Sequence, residues 1–145
     1  MLRKLVPTDG LMAGLFLLGL VLVACNPSPS TSTTTGTAAV SLKNDIQSIF
    51  NTSCVVCHQG GSAPGGLSLE PGAAYKNLVN AKSTESALMR VAPGAPDKSY
   101  LVNKLRGTQV QAGGSGGQMP LGASPLPDSQ IMLIERWITA GAPDN

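Results

Sequence analysis

Cys54-Val55-Val56-Cys57-His58 constrains this chain more than any other stretch. Two thiols three residues apart, with an imidazole directly after the second, form the attachment signature of a c-type haem. The spacing has a physical reason. Haem carries two vinyl groups on neighbouring edges of its ring, and a helical turn from Cys54 to Cys57 presents both sulfurs to them. Two thioether bonds then form, and His58 follows at once, so its imidazole is carried under the ring toward the iron. A chain joined to the ring in this way has to fold around a large flat apolar disc.

Two plainer readings of the same residues compete with this one. A Cys-x-x-Cys pair can be a thiol redox motif, but that normally sits in a βαβ context, and the sequence has no strand-rich pattern. The pair can also hold zinc, but structural zinc takes four nitrogen or sulfur ligands. His58 is the only histidine and Cys25 the only other cysteine. Three ligands on nearly adjacent residues give poor zinc geometry.

The N-terminal part reads as an export signal. Arg3 and Lys4 precede an uncharged apolar run, Leu11 to Ala24, of 14 residues. That is short for a membrane span and right for a signal-peptide core. The run ends Leu22-Val23-Ala24-Cys25, which is similar to a bacterial lipobox with Cys25 as the first residue after cleavage and the site of lipidation. A free thiol beside a haem-attachment pair outside the cytoplasm would be a liability, so all three cysteines are expected to be covalently used and no disulfide is expected. Residues 26–37 carry no charge and almost no apolar side chain, so they cannot offset their ordering entropy and read as a disordered tether. Taken to Val40, the tether has an r.m.s. reach of roughly 20 Å. The expected organisation is a lipoprotein signal peptide at 1–24, a lipidated Cys25 and linker at 25–40, and one haem domain at 41–145. The expected location is extracytoplasmic and membrane-anchored. Asn26, in place of the Asp that commonly retains lipoproteins at the inner membrane, favours an outer membrane where one exists.

The domain holds few large aromatics: Phe50, Tyr75, Tyr100 and Trp137. A core this sparse would be marginal alone, and a covalent haem supplies the missing apolar volume. Ten Lys and Arg less Arg3 and Lys4, against eight Asp and Glu less Asp9, leave eight cations and seven anions after cleavage. No basic stripe points to nucleic acid. Leu42, Ile46, Ile49 and Phe50 lie on one helical face behind an N-capping Ser41 and lead into the haem motif. Residues 59–66 are glycine-rich, and a carbonyl there can accept the free N–H of His58. Short helices are expected over 71–80 and, as a turn or two, over 85–91. A further helix starts at Pro96 and stops at Gly107. Residues 107–118 read as a flexible loop. The last helix runs from about Pro127 to Thr139, with Ile131, Ile134 and Ile138 in one stripe widened by Leu133 and Trp137. No strand is convincing, so the fold class is all-α.

His58 would supply one axial position on the iron. The other has to come from methionine, lysine or tyrosine, or stay open. Three methionines follow Cys25: Met89, Met119 and Met132. Met132 lies within the last helix and Met89 beside Arg90 in the short stretch over 85–91. Met119 ends the glycine loop, and Pro120 stiffens its backbone in an extended form. It is the preferred second ligand; thioether sulfur is soft and favours ferrous iron, raising the potential.

From about Ile46 to Ala142 the sequence resembles the monohaem cytochrome c domains often found in planctomycete proteins and related bacterial lipoproteins. The matching residues are Ile49-Phe50 before Cys54 to His58, then Gly65-Gly66-Leu67-Ser68-Leu69, then Pro93 to Leu101. Met119-Pro120, Trp137-Ile138 and Gly141-Ala142 continue the match. Ala95 departs from it, where the subgroup usually has an acidic or amide residue, and this bears on the helix cap alone. The resemblance implies a cytochrome c fold of short helices around one covalently attached haem c, with His58 and Met119 as the axial ligands. It implies an electron-transfer protein, not an enzyme, working with redox protein partners. The alternative is a small peroxidase-like haem enzyme or a gas sensor, which requires Met119 to be off the iron or displaceable. A third reading, a non-redox surface lipoprotein, leaves the haem motif unexplained.

Overall fold

The computed structural model describes residues 39–145. The signal peptide, the lipidation site Cys25 and most of the tether lie outside the described residues. The domain is all-α: among the described residues there are helices, turns and three isolated backbone bridges, but no strand or sheet.

The chain enters through a turn of π-helix, Leu42–Ile46, that runs into α1, Gln47–Ser53. Ser41 caps it as its side-chain pattern demands, its hydroxyl accepting from the Asn44 N–H at 3.2 Å. The same hydroxyl donates to the Asn145 carbonyl at 2.7 Å, and the Lys43 N–H donates there at 2.8 Å, so the two ends of the domain are clasped together. Ile46, Ile49 and Phe50 form the buried face, as their spacing requires.

α2 spans Ala74–Leu78, shorter than the 71–80 expected. Gly72 sits at φ 78 and Asn80 at φ 56, both left-handed, and neither conformation continues a right-handed helix. The expected turn of helix over 85–91 does not form. The Ser83 hydroxyl accepts from the Glu85 N–H at 3.1 Å and the Ser86 hydroxyl from the Leu88 N–H at 3.3 Å. These local bonds offer the backbone an alternative to the helix. The segment instead folds back on itself, Ser83 N–H to Leu88 carbonyl at 3.2 Å and Arg90 N–H to Ala81 carbonyl at 2.7 Å.

The helix expected from Pro96 is interrupted. A 3₁₀ turn, Pro96–Lys98, is separated from α3, Tyr100–Arg106, by Ser99 in an extended conformation. Ser99 is fully buried, and its hydroxyl takes the Ala92 N–H at 2.9 Å and donates to the Ala95 carbonyl at 2.9 Å. Ala95 provides no side-chain cap. Gly107 ends α3 at φ 73, the left-handed stop that favours glycine.

α4 spans Asp128–Thr139 and packs on α3 and on the entry turn. Ile131, Ile134, Trp137 and Ile138 are each at most 3% exposed, and burying an apolar side chain of this size stabilises by about 1.5–3 kcal/mol. The Trp137 indole N–H donates to the Pro143 carbonyl at 3.0 Å, so its one polar atom is satisfied. No helix among the described residues is long and apolar enough to cross a membrane.

Candidate functional site

α1 stops at Ser53, and the chain turns tightly through the two cysteines. The Cys57 and His58 N–H groups both donate to the Cys54 carbonyl, at 3.1 and 2.9 Å. This turn sets Cys54 half-buried, Cys57 exposed and His58 half-buried at the end of the helix. Both thiols are free. Burial pushes the Cys54 thiol up to about 11, so it is protonated at neutral pH. Reactive redox thiols have the opposite perturbation. Together with the absence of any strand among the described residues, that speaks against a thiol–disulfide motif in a βαβ setting. Among the described residues no three His, Cys, Asp or Glu side chains converge to hold a metal ion.

The loop after His58 is fixed at several points. The His58 Nδ1 lies 3.0 Å from the Leu67 carbonyl. A carbonyl can only accept, so Nδ1 carries the proton, which in a neutral ring leaves Nε2 bare. Such a contact fixes ring and tautomer of a ligating histidine. The expected carbonyl thus exists, one residue beyond the 59–66 stretch. The Leu69 N–H donates to the His58 carbonyl at 2.8 Å. Glu70 gathers the loop further, its carboxylate accepting from the Gly60 N–H at 2.8 Å and the Ser68 hydroxyl at 2.9 Å. Those two bonds, the first the stronger, hold the carboxyl below the usual carboxylate range.

A cavity of about 500 Å³ opens here, lined by Cys54, Cys57, His58 and Met119 together with Leu67, Leu69, Leu78, Leu101, Leu105 and Leu126. Its volume is that of a small-molecule or cofactor site, and its mix of many apolar groups with a few polar ones is typical of such sites. The four residues singled out in the sequence therefore face one space. Met89 and Met132 do not line it: Met89 sits in the backbone bridges to Lys82 and Ser99, and Met132 is 54% exposed on α4.

Met119 reaches the cavity from a loop that is not loose. Its N–H donates to the Lys104 carbonyl at 2.9 Å, and the Gln118 amide donates to the Leu105 carbonyl at 2.7 Å. Further back, the Lys104 ammonium and the Tyr100 hydroxyl both reach the Ser115 carbonyl, at 3.1 and 3.4 Å. The expectation of a flexible glycine loop over 107–118 is therefore corrected: α3 moulds it. Tyr100 and Lys104 also meet Glu85, each 3.0 Å from the same carboxylate oxygen. The Lys104 hydrogen bond holds the Glu85 carboxyl below its usual range, partial burial opposes this, and the Tyr100 hydroxyl assists. All three side chains line the cavity. Nothing in the sequence pairs Glu85 with Lys104, because the partners are 19 positions apart on unrelated elements.

The residues present fit a haem c. Two thiols that could take the vinyl groups, and an imidazole with a bare Nε2 and a thioether that suit haem iron, share a mainly apolar cavity. Arg106, by contrast, is engaged elsewhere, paired with Glu135 at 2.7 Å and Asp128 at 3.5 Å. A second, more open groove of about 690 Å³ between α3 and α4 includes Arg106, Met132 and Arg136, and none of the cysteine, histidine or Met119 donors. Comparison with family models, curated proteins and solved structures finds no match for this chain.

Proposed function

We propose that the chain is a membrane-tethered, extracytoplasmic, monohaem c-type cytochrome that carries single electrons between redox proteins. The observation that carries this reading is the convergence of Cys54, Cys57, His58 and Met119 on one mainly apolar cavity. Cys54 and Cys57 would hold the ring by thioether bonds, and His58 and Met119 would take the two axial positions. The bound group supplies a one-electron iron couple. The chain's part would be to hold it in a mainly apolar cavity, with His58 and Met119 as its iron ligands. The Leu67 carbonyl fixes the His58 ring, and α3 fixes Met119 through the Lys104 carbonyl. Two protein ligands leave no open position for a substrate, which favours electron transfer over catalysis. The lipid anchor at Cys25 is proposed from the sequence alone.

An optical spectrum of the purified full chain tests the reading. A sharp reduced α-band, a weak far-red band in the oxidised form, and indifference to carbon monoxide are expected, with the haem staying on the chain after denaturation. A high-spin spectrum that responds to carbon monoxide or peroxide would favour the haem enzyme instead. Protein without covalent haem would overturn both.

A further inference from the structure

The cavity lining carries three charged side chains, and one of them has no counter-charge among the described residues. Lys104 is met by Glu85 at 3.0 Å. Arg90 is half-buried and lines the same cavity, yet no carboxylate among the described residues pairs with it. Its guanidinium donates to two backbone carbonyls, Gly65 through Nη2 at 2.6 Å and Asn77 through Nη1 at 2.9 Å. Carbonyl oxygens satisfy hydrogens but leave the charge uncompensated. A guanidinium has five N–H donors in a rigid fork, so three remain.

The backbone of Arg90 is pinned on both sides. Its N–H donates to the Ala81 carbonyl at 2.7 Å, and its carbonyl accepts from the Leu101 N–H at 2.9 Å. The side chain is thus set in place before any ligand arrives. Thr84 lines the same cavity and also approaches Gly65, its hydroxyl oxygen 3.4 Å from where a Cβ on that residue would be. A fixed guanidinium with no carboxylate partner among the described residues, at the wall of a mainly apolar cavity, is a site for a carboxylate, which Arg binds by charge-assisted and often two-pronged hydrogen bonds.

We propose that Arg90 is a carboxylate subsite of this cavity, and that it takes a propionate of the bound haem. This rests on the haem reading above. Its consequence is electrostatic. A propionate held by Arg90 would stay ionised to lower pH than a free carboxylate, and a guanidinium charge at the wall of the haem cavity would disfavour the ferric state.

The test uses the full chain with its haem. Covalent haem is first verified on denatured wild-type protein; its absence would overturn this proposal and the parent reading together, whereas the outcomes below bear on Arg90 alone. Midpoint potentials are then measured against pH for the wild type, Arg90→Gln and Arg90→Lys. Gln keeps donors for the carbonyls and removes the charge. In Arg90→Gln the potential is expected to fall at neutral pH. The limb where potential rises toward acid is expected to move up by about one to three pH units, the usual effect of a neighbouring arginine on a carboxyl. Arg90→Lys, which keeps the charge without the fork, should show a smaller change of the same sign. If Arg90 merely clips the Gly65 and Asn77 loops, the Arg90→Gln profile will run parallel to wild type, and the proposal is overturned. Should Arg90→Gln fail to fold, an unaltered Arg90→Lys profile overturns it equally.

Discussion

Gly114 is the position at which one added methyl group should disturb this fold most. A Cβ built there would lie 2.5 Å from Tyr100 Cε2 and 2.6 Å from Cζ, and closer still to the hydroxyl oxygen. Carbon atoms in contact prefer about 3.5–4.0 Å, so roughly 1 Å of overlap has to be relieved. Tyr100 cannot simply swing away. It is 4% exposed, and its hydroxyl donates to Glu85 at 3.0 Å. Overpacking of this kind costs about 1–3 kcal/mol, and weakening a hydrogen bond to a charged group adds about 1 kcal/mol or more. We expect Gly114→Ala to lower the unfolding free energy by about 2–4 kcal/mol, a large share of the 5–15 kcal/mol typical of a domain. Denaturant unfolding of the full chain measures it. Gly61→Ala is the control: no atom would lie within 4 Å of its Cβ and its φ is not positive, so a change within about 0.5 kcal/mol is expected. Tyr100→Leu removes the clashing ring atoms, and in that background the cost of Gly114→Ala should fall below about 1 kcal/mol, since the two sites are in contact and non-additive. An equal cost in both backgrounds would refute the steric argument.

Replacing Cys54 and Cys57 together by Ala should abolish covalent haem and most of the folded domain, read by haem staining after denaturing electrophoresis and by circular dichroism; a normally folded double variant would contradict the haem-centred core. Met119→Ala should keep the covalent haem, lose the far-red band, lower the potential and admit carbon monoxide, while Met89→Ala and Met132→Ala leave the spectrum unchanged; the reverse pattern would reassign the ligand. Cys25→Ala should move the protein out of the membrane fraction with its haem intact, and unchanged membrane association of the processed chain would refute the lipid anchor. Glu85 is held below its unfolded value, so its stabilisation is full above about pH 4.3 and is lost as pH falls through the folded value. Glu85→Gln should therefore cost on the order of 1 kcal/mol at pH 7, a modest figure because its 40% exposed side chain is screened by solvent. Its gap to wild type should close as pH falls through the folded value, and a gap constant with pH would count against the Glu85–Lys104 pair.

The parts of the fold legible in the sequence are those whose signals are local. The stripe of Ile131, Ile134 and Ile138, the Ser41 cap and the Gly107 stop each depend on residues within a few positions of one another, and each stands where expected. The misreadings lie where a side chain competes with its own backbone. Ser86 takes the Leu88 N–H that the first turn of a helix over 85–91 would need, and Ser99 splits the helix from Pro96. A hydrophobic periodicity carries no trace of those bonds. The same division runs through the site. The turn from Cys54 to His58 is contiguous and readable, whereas Arg90 reaches Gly65 and Asn77 across 25 and 13 positions, and no spacing rule marks such a contact.

Met119 shows why composition misleads about the glycine loop. A stretch with Gly113, Gly114, Gly116 and Gly117 reads as slack chain. Yet Gly114 is the residue that lets the loop press against the Tyr100 ring, where any side chain would collide. That close approach lets the Tyr100 hydroxyl and the Lys104 ammonium reach the Ser115 carbonyl, and α3 then receives the Met119 N–H on the Lys104 carbonyl. Gly114 serves proximity, while Gly113 and Gly116 supply the left-handed φ of 70 and 73 that the turns of the loop require. Met119 is held by the helix whose Leu101 and Leu105 line the same cavity, so the wall of the cavity and the residue reaching into it are parts of one rigid piece. A methionine on slack chain would spend little time at any one point, and the entropy of fixing it would weaken each bond it made. Fixing it beforehand removes that cost.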